Sequence, residues 1–94
     1  MAEYRVVISV LLKQRILDLC DQKRAQGRLK QVKIAMTAVI EALQTEPTVI
    51  GEVLYHLKHS GWPVCHVTRK PWSVHYAVDE QQRVVYVTRI EMMS

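Results

Sequence analysis

The stretch "WSVHYAVDEQQRVVYVTRIEMM", residues 72–93, decides the fold. Two runs rich in β-branched and aromatic residues flank the polar "DEQQR", whose length suits a hairpin connection of about four or five residues. Successive side chains of a strand point to opposite faces. Val74, Tyr76 and Val78 therefore share one face, and Ser73, His75 and Ala77 the other. The first set is larger and more apolar, so it is expected to meet the core, leaving Ser73 and His75 on an open face. A histidine in mid-strand and Arg89 near the end of the second run are either parts of a working site or ordinary strand residues.

Working outward, "VCHVT" (64–68) and "EVLYHLK" (52–58) read as two more strands, separated by the turn "HSGWP". Alternation in the second run assigns Val53, Tyr55 and Leu57 to the core face and Leu54, His56 and Lys58 to the other. Further upstream the period changes from two to between three and four. Leu29, Val32, Met36, Val39 and Leu43 form one helical stripe, which stops at "TEP" because the residue before Pro47 is pushed out of the helical region. An earlier stripe, Leu12, Ile16, Leu19 and Cys20, predicts a helix running to about Gln26. Gly27 is placed to end it in a left-handed conformation, and Lys23 and Arg24 suit its negative end. The linker is short, so the two helices are expected to form an antiparallel hairpin. Before them, "YRVVISV" (4–10) reads as a strand. The resulting class is α+β: an N-terminal strand, an α-helical hairpin, then a three- to four-stranded antiparallel meander with the helices on one face.

The 94 residues are expected to form a single domain, 1–94, and 49% hydrophobic content is enough for a packed core. No run approaches the ~18 apolar residues of a membrane span, so no membrane partner is expected. The start, "MAEYRVVISVLLKQR", is expected to be mature sequence, since Glu3 and Arg5 interrupt it and no small-residue cleavage site follows. Cys20 and Cys65 are too few for a disulfide framework and wrongly spaced for a zinc knuckle, which suggests buried thiols in a reducing cytoplasm.

Charge is distributed unevenly. The net charge is +4 and the pI about 9.3. Between Lys13 and Lys33 there are seven basic residues against two acids, Asp18 and Asp21, which leaves the remainder near neutral. Such a patch favours nucleic acid or an acidic protein segment, although a solvated helix face would have the same composition. Lys23, Arg24, Arg28, Lys30 and Lys33 are the candidate RNA-binding residues. All four histidines (His56, His59, His66 and His75) fall in the sheet half. A histidine titrates near neutral pH and suits proton transfer. His75 and His66, with Arg89, Arg69 and Lys70 as phosphate-facing cations, are the candidate catalytic set; the alternative is a row of half-exposed polar residues on a solvated face. His56, His66 and His75 lie on successive strands, but no cysteine or carboxylate spacing supports a zinc site, so neither metal nor cofactor is expected. Trp62 and Trp72 border turns, where they would stack on a base, anchor a peptide, or cap the edge of the core.

Taken together, "Y-x-V-x-I-S" (Tyr4, Val6, Ile8, Ser9), a helical hairpin broken at Gly27, "P-x-x-x-G-E-x-L" (Pro47, Gly51, Glu52, Leu54) and "V-x-Y-x-V-D … R-V-V-Y-V-x-R-I" (Val74, Tyr76, Val78, Asp79, Val84, Val85, Val87, Arg89, Ile90) resemble the RelE/ParE toxin superfamily of bacterial toxin–antitoxin modules. The resemblance spans nearly the whole chain. It implies a cognate antitoxin as partner, and either metal-independent cleavage of messenger RNA on the ribosome or, for ParE-like members, non-enzymatic poisoning of DNA gyrase. The sequence departs from the ribonuclease pattern at Ser73, where arginine is usual, and at Met92 and Met93, where histidine and arginine are usual. Arg89 matches the pattern; His75 lies where the family's histidine does not usually sit.

Overall fold

The computed structural model describes residues 3–93, so the first two residues of the N-terminal run and the final serine lie outside the described residues. Strand β1 (Arg5–Val7) is followed by helices α1 (Val10–Arg24) and α2 (Leu29–Thr45) and by strands β2 (Glu52–His56), β3 (Pro63–Arg69), β4 (Trp72–Asp79) and β5 (Val84–Met92). The four C-terminal strands form an antiparallel meander, and β1 joins it beside β5 in parallel, giving the sheet order β1-β5-β4-β3-β2. The α+β arrangement matches the expectation from sequence, with four meander strands.

Each boundary has a local cause. The run Tyr4–Val10 yields only three strand residues, because Ser9 turns out of the strand as the N-cap of α1, its hydroxyl accepting from the Leu12 amide at 3.2 Å. Gly27, at φ +71°, makes the left-handed turn between the helices that its position in the sequence implied. Helix α2 ends one residue before Glu46, which precedes Pro47. In the β4–β5 hairpin the buried Asp79 carboxylate accepts from the amides of Gln81 (3.1 Å) and Gln82 (3.2 Å), forming the turn with its own side chain.

The helices cover one face of the sheet. Val32, Val39 and Leu43 of α2 and Cys20 of α1 pack with Cys65, Val67, Trp72, Val74, Tyr76, Val78, Val85, Val87 and Ile90. The alternation read for β4 is correct: Val74, Tyr76 and Val78 are buried, while Ser73 and His75 are half-buried on the opposite face. Two polar atoms inside this layer have partners. The Trp72 indole N–H donates to the Val32 carbonyl at 2.9 Å, and the Tyr76 hydroxyl donates to the Pro47 carbonyl. Trp72 is thus fully enclosed by the core and offers no ring to a base or a peptide. Gly51 is required here, since a Cβ would overlap the Tyr76 hydroxyl.

The alternation read for β2 is overturned. All five of its residues are exposed, and a bulge at Leu54 breaks the period. Val53 stands opposite Cys65, but Tyr55 stands opposite Val64 on the face away from the helices. His56 lies opposite Pro63, away from His66. Among the described residues no helix is long and apolar enough to cross a membrane.

Candidate functional site on the open sheet face

Residues paired across strands share a face, so the register writes out the uncovered side of the sheet row by row. One row is Glu52 (β2), His66 (β3), His75 (β4) and Arg89 (β5). The row on the side of the β3–β4 turn is Thr68, Ser73 and Glu91. On the other side lie Tyr55, Val64, Ala77 and Tyr86, with the Trp62 ring stacked on Tyr86 at 5.4 Å and 4° between planes. Trp62 thereby shields an apolar strip, and Val64 and Ala77 beneath it are buried.

Arg89 reaches this face only because β5 is irregular. Val85 and Val87 point at the helices, and strict alternation would send Arg89 after them. The register slips between His75 and Tyr76, which oppose Arg89 and Val87, so Thr88 is an extra residue in β5. The bulge turns Arg89 outward beside His75 and Ile90 inward, where it is buried. From α1, the Arg15 guanidinium donates to the Ile90 carbonyl at 2.8 Å, fastening the helix to the strand just past the bulge.

The imidazoles of His66 and His75 stack with centroids 4.5 Å apart and 23° between planes. His66 Nε2 and the Ser73 hydroxyl share a hydrogen bond of 2.7 Å. The Nδ1 of His75 is buried without a hydrogen-bond partner. Burial, then the neighbouring His66 and then Arg89 hold the His75 pKa below its ordinary 6.5, with Glu91 opposing them. His75 is accordingly neutral at neutral pH and able to take up a proton. The Arg89 guanidinium forms an exposed ion pair with Glu91, its row-mate's neighbour on the same strand.

The candidate residues thus separate into groups. His66, His75 and Arg89 come together. Arg69 ends β3 opposite Trp72 and donates to the Thr68 carbonyl at 2.9 Å. Lys70 faces a different place: with Lys23, Arg28, Gln31, Val32, Pro71 and Met93 it lines a cleft between the helical hairpin and the β3–β4 turn. Arg24 lies beside Asp21 at 3.8 Å, and Lys30 and Lys33 are exposed on α2. Among the described residues no group of three or more histidines, cysteines or carboxylates is arranged to hold a metal ion. Tyr76 is enclosed in the core, and burial pushes its pKa well above the ordinary value. Ser73 and Glu91 are the residues that the sequence reading did not place in the cluster. Parity put Ser73 on the correct face, but its bond to His66 depends on the pairing of β3 with β4.

No protein-family model matches the chain, and no curated protein matches it. Among solved structures it is similar to a chain of the crystal structure of the toxin–antitoxin complex RelBE2 from Mycobacterium tuberculosis, at a TM-score of 0.61 and 18% identity over 98% of this chain and 93% of that one. The fold is RelE-like.

Proposed function

We propose that this protein is the toxin half of a toxin–antitoxin pair and cuts messenger RNA on the ribosome, in the cytoplasm, without a metal. The observation that carries the reading is the row His66–His75–Arg89 on an uncovered sheet face, with an unpartnered imidazole nitrogen and a depressed histidine pKa. Perturbed titration on a concave or open functional face marks candidate acid–base chemistry. The likeness to a structure that is itself a toxin–antitoxin complex supports an antitoxin as partner. So does the exposed apolar edge made by Val53, Leu54 and Tyr55 of β2, since a free sheet edge accepts a peptide strand.

In this mechanism neutral His75 takes the proton of a ribose 2′-hydroxyl at Nε2, since Nδ1 is buried. The 2′-oxygen attacks the adjacent phosphorus, the bond from phosphorus to the 5′-oxygen breaks, and His66, held by Ser73 and entering the step as the imidazolium, gives its proton to the leaving oxygen. The products are a 2′,3′-cyclic phosphate and a 5′-hydroxyl, with protons and charge conserved. Arg89 stabilises the charge on the phosphorane. The test is ribosome-dependent cleavage by the wild type and His75→Ala with EDTA present. Cleavage by the wild type and its loss in the variant are expected; equal cleavage by both, or none by either, overturns the catalytic role.

A second reading, a non-enzymatic ParE-like inhibitor of DNA gyrase, draws on one observation. The Arg89–Glu91 ion pair offsets the cation at the histidines, where Ser73 adds no charge. Inhibition of gyrase supercoiling by protein that leaves messenger RNA intact would select it.

A further inference from the structure

The cleft lined by Lys23, Arg28 and Lys70 is separate from the histidine row and lies where the α1–α2 turn meets the β3–β4 turn. Two stretches far apart in sequence bring cations to it, Lys23 and Arg28 from around the α1–α2 turn and Lys70 from the β3–β4 turn. The ion pairs among the described residues are Arg24–Asp21 and Arg89–Glu91, so none of the three cations has a carboxylate partner there; Lys23 reaches only the Gln26 amide oxygen, at 3.4 Å. Three like charges gathered without a counter-charge repel one another, and an anion between them relieves that cost. The first turn of α2 adds to the field. Arg28 is its N-cap residue and makes no side-chain capping bond, the first turn holds no acid, and Gln31 and Val32 of that turn line the cleft.

Size and lining narrow the ligand. The cleft encloses about 200 Å³, below the roughly 300–1,000 Å³ of sites that enclose a drug-sized molecule. Its apolar wall is Val32, Pro71 and Met93, and the Met93 amide, donating to the Pro71 carbonyl at 2.6 Å, holds the chain end across it. A single tetrahedral phosphate with part of a sugar against the apolar wall suits this space; a paired duplex does not enter it. We propose that the cleft is a phosphate-binding site that holds one backbone phosphate of a single-stranded nucleic acid, away from the point of cleavage. The choice of nucleic acid rests on the reading of the protein as acting on RNA.

The experiment is a titration followed by amide NMR of the full chain at constant ionic strength, first with inorganic phosphate and then with a short oligoribonucleotide lacking terminal phosphates. Saturable shifts centred on Gln31, Val32 and Met93 are expected with both, at lower concentration for the oligonucleotide. In R28Q/K70Q these shifts are lost while the rest of the spectrum is unchanged, and the slope of log K against log salt for the oligonucleotide falls by about 0.7, the share of the one phosphate held there. Shifts that do not saturate, or that persist in R28Q/K70Q, overturn the site. Saturation by phosphate alone, with these amides untouched by the oligonucleotide, overturns the nucleic-acid assignment. Failure of the cleavage mechanism is distinguishable: a protein that cuts nothing on the ribosome but gives these shifts retains the cleft, and one that cuts RNA without them lacks it.

Discussion

His75 combines two features at the scale of a single residue, an imidazole nitrogen sealed from water and a pKa held down chiefly by burial. In the window between that lowered value and the ordinary 6.5 the unfolded chain binds more protons than the folded one. The stability tied to this group is therefore complete above the ordinary value and is lost as pH falls through the folded one. Melting temperature should decline on acidification below that window's upper edge, and His75→Gln should flatten the decline; an unchanged slope would remove the linkage. For cleavage, His75→Ala should cost roughly 100- to 10,000-fold, the usual loss for a general acid or base. Glu91→Gln should act in the opposite direction, freeing Arg89 from its ion pair and raising the single-turnover rate. Gly51 is a residue-scale packing constraint. Gly51→Ala should destabilise by about 1–3 kcal/mol, as overpacking does, and by less in the Tyr76→Phe background, because the overlapping atom is the hydroxyl. Chemical denaturation of the four proteins of this cycle measures the difference.

Strand β5 shows how one element can set a site. Its sequence, "VVYVTRIEM", is mostly apolar through Val87 and reads as a regular strand. The bulge at Thr88 reverses the direction of everything after it. Deleting Thr88 should leave a regular strand in which Arg89, next after the inward Val87, still faces outward and Ile90 inward. That arrangement keeps the isoleucine buried and the guanidinium in water, so the end of β5 should stay paired. Amide-exchange protection in Ile90–Met92 like that in Val84–Val87 is the expected pattern; fast exchange confined to Ile90–Met92 would mean that Thr88 is needed to seat the end of the strand. The helices divide their labour similarly. The stripe of α2 was visible in its spacing, and Val32, Val39 and Leu43 are buried as that spacing requires. Arg15 of α1, counted among the basic residues of the hairpin, is instead engaged with the Ile90 carbonyl.

For the molecule as a whole, the helices occupy one side of the sheet and leave the histidine row on the other, with an uncovered face and a free β2 edge. Expression of the protein alone should slow growth, and co-expression of the product of an adjacent antitoxin gene should restore it; harmless accumulation of folded protein counts against the toxin role. Replacing the exposed Arg24, Lys30 and Lys33 with glutamine should leave melting temperature nearly unchanged and weaken ribosome binding most at low salt, where counterion release is strongest. Affinity that is flat with salt in the wild type would exclude this face from nucleic-acid contact.

The sequence by itself determined the elements, the class of fold and the inner face of β4, because periods of about 3.6 and 2, glycine at a left-handed turn and proline after a helix act within a few residues. Residue type also picked out the histidines and cations as candidates. Which of them meet was decided by the tertiary structure alone. Strand order and register put His66 beside His75 and Ser73, and bulges at Leu54 and Thr88 overruled the alternation that would have put Tyr55 inside and Arg89 with it. Lys70 left the histidines for Lys23 and Arg28. The physical reason is that register and bulges answer to burial summed over the whole sheet. A one-residue slip exchanges the two faces of a strand, and only the packed partner on the helix side, with Ile90 buried against it, fixes which face Arg89 takes.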